Sequence, residues 1–142
     1  MERKSRIAAL GCGLAFAAIC SLNAIAQQAE SKTPYDEKWL KQTADELNKS
    51  LPKIADPGIR WDSVTPGPGI KLNYSYTLMN QPAGQVDIEQ FNAKTQSRLR
   101  TAVCTRPGML ELVKNGVTLA YIYRGSDGRF VSQIEVVRQQ CG

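Results

Sequence analysis

Large apolar residues recur with the period of a β-strand in two stretches of the chain. Over residues 70–78, and again over residues 117–123, every second residue is aliphatic or aromatic. This alternation predicts two strands that each bury one face and expose the other. Residues 126–128, Ser-Asp-Gly, then predict a turn, and a β-rich run from Phe130 towards Cys141 completes a hairpin.

Apolar residues at helical spacing predict three helices. The first begins at Thr33 and Pro34, a suitable cap and first residue. Pro57-Gly58 ends this helix, and Pro52 either kinks it or ends it early. The second runs from residue 86 or 87 to near residue 104, and the third covers residues 109–115. The apolar stripe of the first helix consists of Leu40, Ala44, Leu47, Leu51 and Ile54.

The two halves of the chain show the same order of predicted elements. Each half consists of a helix, a capping glycine at Gly58 or Gly116, a strand, a glycine-rich turn and a second strand. In the first half the turn is the Thr-Pro-Gly-Pro-Gly sequence of residues 65–69. We therefore predict an α+β fold made of a duplicated αββ unit. Its hairpins would form one four-stranded antiparallel sheet, with the helices packed on one face.

The N-terminal residues have the features of a secretory signal peptide. Three basic residues within the first six positions precede an apolar run over residues 7–22 and the sequence Ala24-Ile25-Ala26. A membrane anchor is the alternative, but the apolar run is shorter than the about 20 residues that a spanning helix needs. We predict a signal peptide at residues 1–26, a mobile leader at 27–32 and a single small α+β domain at 33–142. The protein would then be periplasmic or secreted.

The cysteines predict one disulfide bond. Signal cleavage removes Cys12 and Cys20 and leaves Cys104 and Cys141 in an oxidising compartment. A bond between them would stabilise the fold by about 4 kcal/mol in the chain-entropy model. A catalytic or metal-binding thiol is the alternative, but it needs a base or further ligands, and the chain has no histidine.

Arginines in the second half of the chain form one candidate binding set. The predicted signal peptide holds three of the 18 basic and one of the 13 acidic residues, so the net charge falls from +5 to +3 on cleavage. That charge is too small to indicate nucleic-acid binding. The arginines could contact an acidic protein surface or an anionic glycan; ordinary solubilising charge is the alternative. The set is Arg98, Arg100, Arg106, Arg124, Arg129 and Arg138.

The sheet face opposite the helices is a second candidate surface. Its residues are polar, small or β-branched, which suits a protein partner or a second copy of the chain. A plain solvent-exposed face is the alternative. The residues expected there are Asn73, Ser75, Thr77, Thr118, Ala120 and Ile122.

The sequence gives little support for catalysis. Without histidine there is no imidazole base and no ordinary zinc site, and residues 65–69 lack the lysine of a phosphate-binding loop. We predict no cofactor, no metal and no catalytic residue.

The predicted function is non-catalytic binding, as an accessory, adaptor or inhibitor in the bacterial cell envelope or a secretion system. The alternatives are a receptor for an anionic small molecule or glycan and, after that, a carboxylate-based enzyme. The expected partner is an envelope or secreted protein, acidic if the arginines form the site. We expect no stable membrane span after cleavage, and the open sheet face could support a homodimer. Arginines clustered around a concave pocket would favour ligand binding, whereas scattered arginines would favour a protein partner.

Overall fold

The computed structural model describes residues 34–142. In chain order, the helices and strands are α1 (Glu37–Asn48), β1 (Lys53–Asp56), β2 (Ile59–Gly67), β3 (Lys71–Leu78), α2 (Ile88–Thr105), α3 (Pro107–Lys114), β4 (Thr118–Arg124) and β5 (Phe130–Val136). Short 3-10 helices occur at Ala83–Gln85 and Arg138–Gln140. The predicted signal peptide and leader lie outside the described residues.

Within residues 34–142, five strands form one sheet in the order β1-β2-β3-β4-β5. Neighbouring strands are antiparallel except for β3 and β4, which are parallel. The predicted combination of helices with a sheet is confirmed. The prediction of a four-stranded, wholly antiparallel sheet was wrong in both strand number and direction. The duplicated αββ unit stays a prediction.

The parallel pairing follows from the connection between β3 and β4. After β3 the chain passes through α2 and α3 and returns to the end of the sheet at which β3 began, so that Lys71 pairs with Thr118. Such a helical crossover is the usual way to join parallel neighbours. The sequence predicted the two hairpins, but alternation alone does not give their relative direction.

The additional strand is β1, which lies where the sequence analysis extended the first helix. The helix ends at Asn48. It does not extend through Pro52, because proline cannot continue a helix. Ile54 therefore belongs to β1 and is 61% exposed, instead of joining the apolar stripe of α1. The helix also starts later than predicted, since Asp36 is its cap and accepts a hydrogen bond from Trp39 N at 2.8 Å.

The core lies on the face of the sheet to which alternate residues of the inner strands point. Leu72 of β3 and Leu119 of β4 pair with each other and are 0% exposed, as the alternation predicts. Leu40 of α1, Val103 of α2 and Val113 of α3 belong to the same buried cluster. The helices therefore pack against this face.

The side chain of Asn48 fastens the end of α1 to the middle of β2. Its Nδ2 donates to the carbonyl of Val64 at 2.8 Å, and its Oδ1 accepts from the amide of Val64 at 2.8 Å. These backbone groups of Val64 point away from β3, towards the side of β2 on which β1 lies. The pairing with β1 stops at Trp61, so β1 offers Val64 no partner. Pro66, two residues further on, has the same orientation, so its missing N–H removes no bond to β3. This explains why β2 continues into the segment that was predicted to be a loop.

Cys104 and Cys141 form a disulfide bond, with their Cα atoms 5.2 Å apart. The bond joins the last turn of α2 to the segment after β5, so it holds α2 beside the edge of the sheet. The predicted pairing is confirmed. None of the helices in residues 34–142 is both long enough and apolar enough to cross a bilayer.

Candidate functional site

A cavity of about 340 Å³ lies between the sheet and α2. Ligand pockets usually have volumes of about 300–1,000 Å³, so this one can hold a small molecule or a few side chains of a larger partner. Strands β1 to β4 supply one wall, and α2 with the start of α3 supplies the other. The lining residues are Ala55, Asp56, Ile59, Trp61, Tyr74, Tyr76, Thr95, Arg98, Leu99, Ala102, Arg106, Met109, Tyr121 and Tyr123.

Five aromatic rings form the sheet wall of the cavity. Strand register brings them together, because Tyr74 pairs with Tyr121, Tyr76 pairs with Tyr123, and Trp61 pairs with Tyr76. The ring centroids of each tyrosine pair are 5.2 Å apart, with interplanar angles of 14° and 20°. Aromatic contacts of this kind are each worth about 0.5–1.5 kcal/mol beyond their buried area. The wall is therefore a continuous stacked surface.

Helix α2 supplies the opposite wall from one of its faces. Thr95, Leu99 and Ala102 line the cavity, and their spacing of four and three residues places them on one side of the helix. One turn before Thr95, Phe91 packs edge-on against the ring of Tyr123, with centroids 5.0 Å apart. The N-terminal turns of α2 are thereby held against β4.

An ion pair joins the two walls. Arg98 Nη2 of α2 lies 2.8 Å from Asp56 Oδ2 of β1, and the side chains are 72% and 47% exposed, so the pair sits at the mouth of the cavity. Exposed pairs typically contribute only about 0–1 kcal/mol to stability. The ion pair therefore spans the mouth of the cavity but is weak enough to open.

Trp61 contributes an unpaired donor to the sheet wall. Its indole N–H is buried and has no hydrogen-bond partner among the described residues. Lys53 Nζ lies 4.9 Å from the centre of the Trp61 ring, at the distance of a cation–π contact. Buried donors are nearly always paired, so the Trp61 N–H is an exception, and because it is shielded from solvent it does not face the open part of the cavity.

The tyrosines of the wall are neutral at physiological pH. Burial raises the pKa of Tyr74 and of Tyr123 to about 12. Burial also raises the pKa of Tyr76 and Tyr121, and neighbouring tyrosines add to the increase. The positive charge of Arg98 partly offsets the pKa increase at Tyr123. The phenols can therefore donate and accept hydrogen bonds, but they are not poised for proton transfer near neutral pH.

The predicted arginine set divides between the cavity and the outer surface. Arg98 and Arg106 belong to the cavity lining; Arg98 lies in α2, and Arg106, about two turns further on, is its C-terminal cap. Arg124 donates instead to the carbonyl of Gly128 at 3.3 Å, within its own hairpin. The described lining excludes Arg100, Arg124, Arg129 and Arg138. The set is therefore neither fully clustered nor fully scattered.

The predicted sheet-face residues lie side by side in the register expected of neighbouring strands. The pairs are Lys71 with Thr118, Asn73 with Ala120, Ser75 with Ile122, and Thr77 with Arg124. Ala120 is 0% exposed, so it offers no surface to a partner. Lys71 pairs across this face with Glu135 at 2.6 Å, and that hydrogen bond lowers the pKa of Glu135. Thr77 Oγ1 donates to Asp62 at 2.6 Å. Polar contacts cross this face, which makes it a weaker candidate than the cavity.

Metal ligands do not converge in the described part of the chain. No group of three or more cysteine, aspartate or glutamate residues between positions 34 and 142 is arranged to hold a metal ion. The arrangement of the cavity is suited to binding: apolar rings, neutral phenols and two cations.

Sequence reasoning assigned Tyr74, Tyr76, Tyr121 and Tyr123 to the core and did not identify a site there. One available signal was the helical spacing of Arg98, Ala102 and Arg106, which places two cations around a small residue on one face. A second was the replacement of leucine by tyrosine at successive core positions of β3 and β4.

Solved structures with the same fold come from exported or secretion-related proteins. A candidate secreted protein from Pseudomonas aeruginosa superposes with a TM-score of 0.62 and 20% identity, over 74% of this chain and 91% of that one. A pilotin of the Vibrio vulnificus type 2 secretion system gives 0.60 and 14%, over 75% and 91%. A type II secretion system pilotin from Vibrio cholerae gives 0.57 and 16%, over 74% and 91%. Comparison of the sequence with protein-family models and with curated proteins finds no match. At these identities the likeness establishes the fold.

Proposed function

We propose that this chain is a non-catalytic accessory protein of a secretion system, located in the periplasm or outside the cell. It binds an apolar segment of an envelope protein in the aromatic cavity. The observation that carries the proposal is the cavity itself, where rings from β2, β3 and β4 form a wall across from α2. The fold shared with two type II secretion pilotins and a candidate secreted protein supports the role and the location.

The cavity favours particular features in its occupant. Aromatic walls bind apolar side chains well. A few apolar side chains buried in such a pocket usually carry most of the binding energy of a protein interface. The volume admits a few such side chains, so the rest of the partner segment would lie across the mouth. Arg98 and Arg106 make the rim positive, which favours a segment with negative or acceptor groups.

A receptor for an anionic small molecule is the second candidate, because Arg98 and Arg106 belong to the cavity lining. An enzymatic role is not proposed, since Asp56 is the one carboxylate among the described lining residues and the chain lacks histidine. A homodimer through the open sheet face stays a prediction.

Filling the cavity tests the proposed role. Ala102 lines the cavity, whereas Ala93 lies on the exposed side of the same helix. Ala102→Phe should therefore block the site, and Ala93→Phe adds the same side chain outside it. In the encoding organism, a strain lacking this chain should secrete less of its type II substrates. Wild type and Ala93→Phe should restore secretion, and Ala102→Phe should not.

Two results would contradict the proposal. If loss of the chain leaves secretion unchanged, the secretion role is wrong. In that case, binding of a small anion by wild type but not by Ala102→Phe would favour the second candidate, a receptor for an anionic small molecule. If Ala102→Phe restores secretion fully, the cavity is not the binding site. Thermal unfolding of both variants, with the disulfide intact, checks that each remains folded.

A further inference from the structure

The charged groups around the aromatic cavity are two cations and one carboxylate. The guanidinium groups of Arg98 and Arg106 belong to lining residues. Arginine presents a planar fork of donors that matches the two oxygens of a carboxylate. The charged acceptor among the described lining residues is the carboxylate of Asp56. A ligand that fits this site should therefore bring acceptors of its own.

Asp56 already occupies the position that a ligand carboxylate would take. It lies 2.8 Å from Arg98 Nη2, it comes from an edge strand, and both side chains are largely exposed. An exposed pair of this kind exchanges readily, because water and salt compete for both partners. Arg98 also lies close enough to the aromatic wall to lower the pKa of Tyr123 against the effect of burial. The guanidinium group is thus placed between the apolar cavity and the solvent.

We propose that the cavity recognises an apolar side chain together with an adjacent carboxylate, and that this carboxylate replaces Asp56 as the partner of Arg98. The inference rests on the proposed function, in which the cavity is the binding site, and adds the chemical class of the bound segment. Asp56 acts as an internal competitor that occupies Arg98 until the ligand arrives. Arg106 adds positive charge to the same rim.

Opposite effects of two substitutions separate this role from a structural one. Asp56→Asn and Arg98→Gln both remove the ion pair, so a purely structural role would change both variants in the same direction. A competitor role predicts that Asp56→Asn binds a carboxylate ligand more tightly and that Arg98→Gln binds it more weakly. The matched control is Asp45→Asn, which removes the exposed Lys41–Asp45 pair on α1.

The probes are hydrocinnamate, which joins a phenyl ring to a carboxylate, and its neutral amide. Binding to the exported protein is followed by the NMR signal of the Trp61 indole N–H, assigned with Trp39→Phe. We expect the dissociation constant of hydrocinnamate to fall about two- to fivefold in Asp56→Asn and to rise by a similar factor in Arg98→Gln. The amide should bind all variants equally, and Asp45→Asn should behave like wild type.

Three results would overturn this inference: both variants shifting hydrocinnamate affinity in the same direction, the amide responding like the carboxylate, or neither probe moving the Trp61 signal. The proposed function is tested separately by Ala102→Phe. If that variant still fails to support secretion while the probes give one of these results, the cavity binds an apolar segment without a carboxylate.

Discussion

Substitution of Asn48 tests how α1 is fastened to the sheet. The side chain makes two hydrogen bonds of 2.8 Å to the backbone of Val64, one as donor and one as acceptor. Val64 is 0% exposed, so water has little access to its amide and carbonyl when the side chain is removed. An unpaired buried polar group costs about 1–3 kcal/mol, and Asn48→Ala leaves two of them. We expect the free energy of unfolding to fall by about 3 kcal/mol.

A second variant separates the two bonds. Asn48→Asp keeps an oxygen that can accept from the Val64 amide but replaces the Nδ2 donor with an oxygen facing the Val64 carbonyl. We expect a loss of about 1–3 kcal/mol, smaller than that of the alanine variant. Urea unfolding followed by circular dichroism, with the disulfide intact, measures both losses, and the slope with urea should stay unchanged.

Asn115 provides the matched control. Its Nδ2 donates at 2.8 Å to the carbonyl of Glu111 at the end of α3, in an exposed setting. Asn115→Ala should change the free energy of unfolding by no more than about 0.5 kcal/mol. If Asn48→Ala unfolds at the urea concentration of wild type, water satisfies Val64 and the reasoning fails. If the free energy of unfolding falls equally in Asn48→Ala and Asn115→Ala, the loss comes from removing a side chain at a helix end and not from the contact with Val64.

Three further predictions concern the core, the disulfide and the tyrosine wall. Leu72→Ala should cost about 2–5 kcal/mol, and Ser75→Ala on the opposite face about 0.5 kcal/mol or less; equal losses in urea unfolding would mean that the strand is covered on both faces. Thiol titration of the exported protein should find no free thiol, and reduction should lower its melting temperature; two reactive thiols would disprove the pairing outside the cytoplasm. Because burial raises the pKa of Tyr74 and Tyr123 to about 12, the stability from burying neutral phenols is fully present below about pH 10 and is lost as pH rises through 12. Urea unfolding at increasing alkaline pH, with phenolate absorbance, should show this loss, and tyrosines that ionise near pH 10 in folded protein would contradict it.

The sequence predicts those elements best whose pattern is long and regular. Strand β3 alternates without interruption, and the burial of Leu72 follows the pattern. In β4 Ala120 and Ile122 are apolar as well, and Ala120 is as fully buried as Leu119. Strand β1 has only four residues, and its exposed Ile54 happens to continue the helical spacing of α1. A short edge strand next to a helix end has too few residues for the spacing of its apolar residues to distinguish a strand from a continued helix. The parallel pairing of β3 with β4 depends on the helical connection between them, and the local sequence pattern of either strand does not predict it.

The aromatic cavity was difficult to predict because its wall follows the same alternation as the core. In β3 and β4 the core positions change from leucine to tyrosine at the same register step, from the pair of Leu72 and Leu119 to the pair of Tyr74 and Tyr121. A leucine can be covered entirely by helices, whereas a tyrosine in such a position keeps a polar tip that needs a partner or solvent. The change therefore marks where the aliphatic core ends and the wall of the cavity begins. Only the parallel register reveals it, since that register sets the two tyrosines opposite each other instead of at unrelated points of two strands.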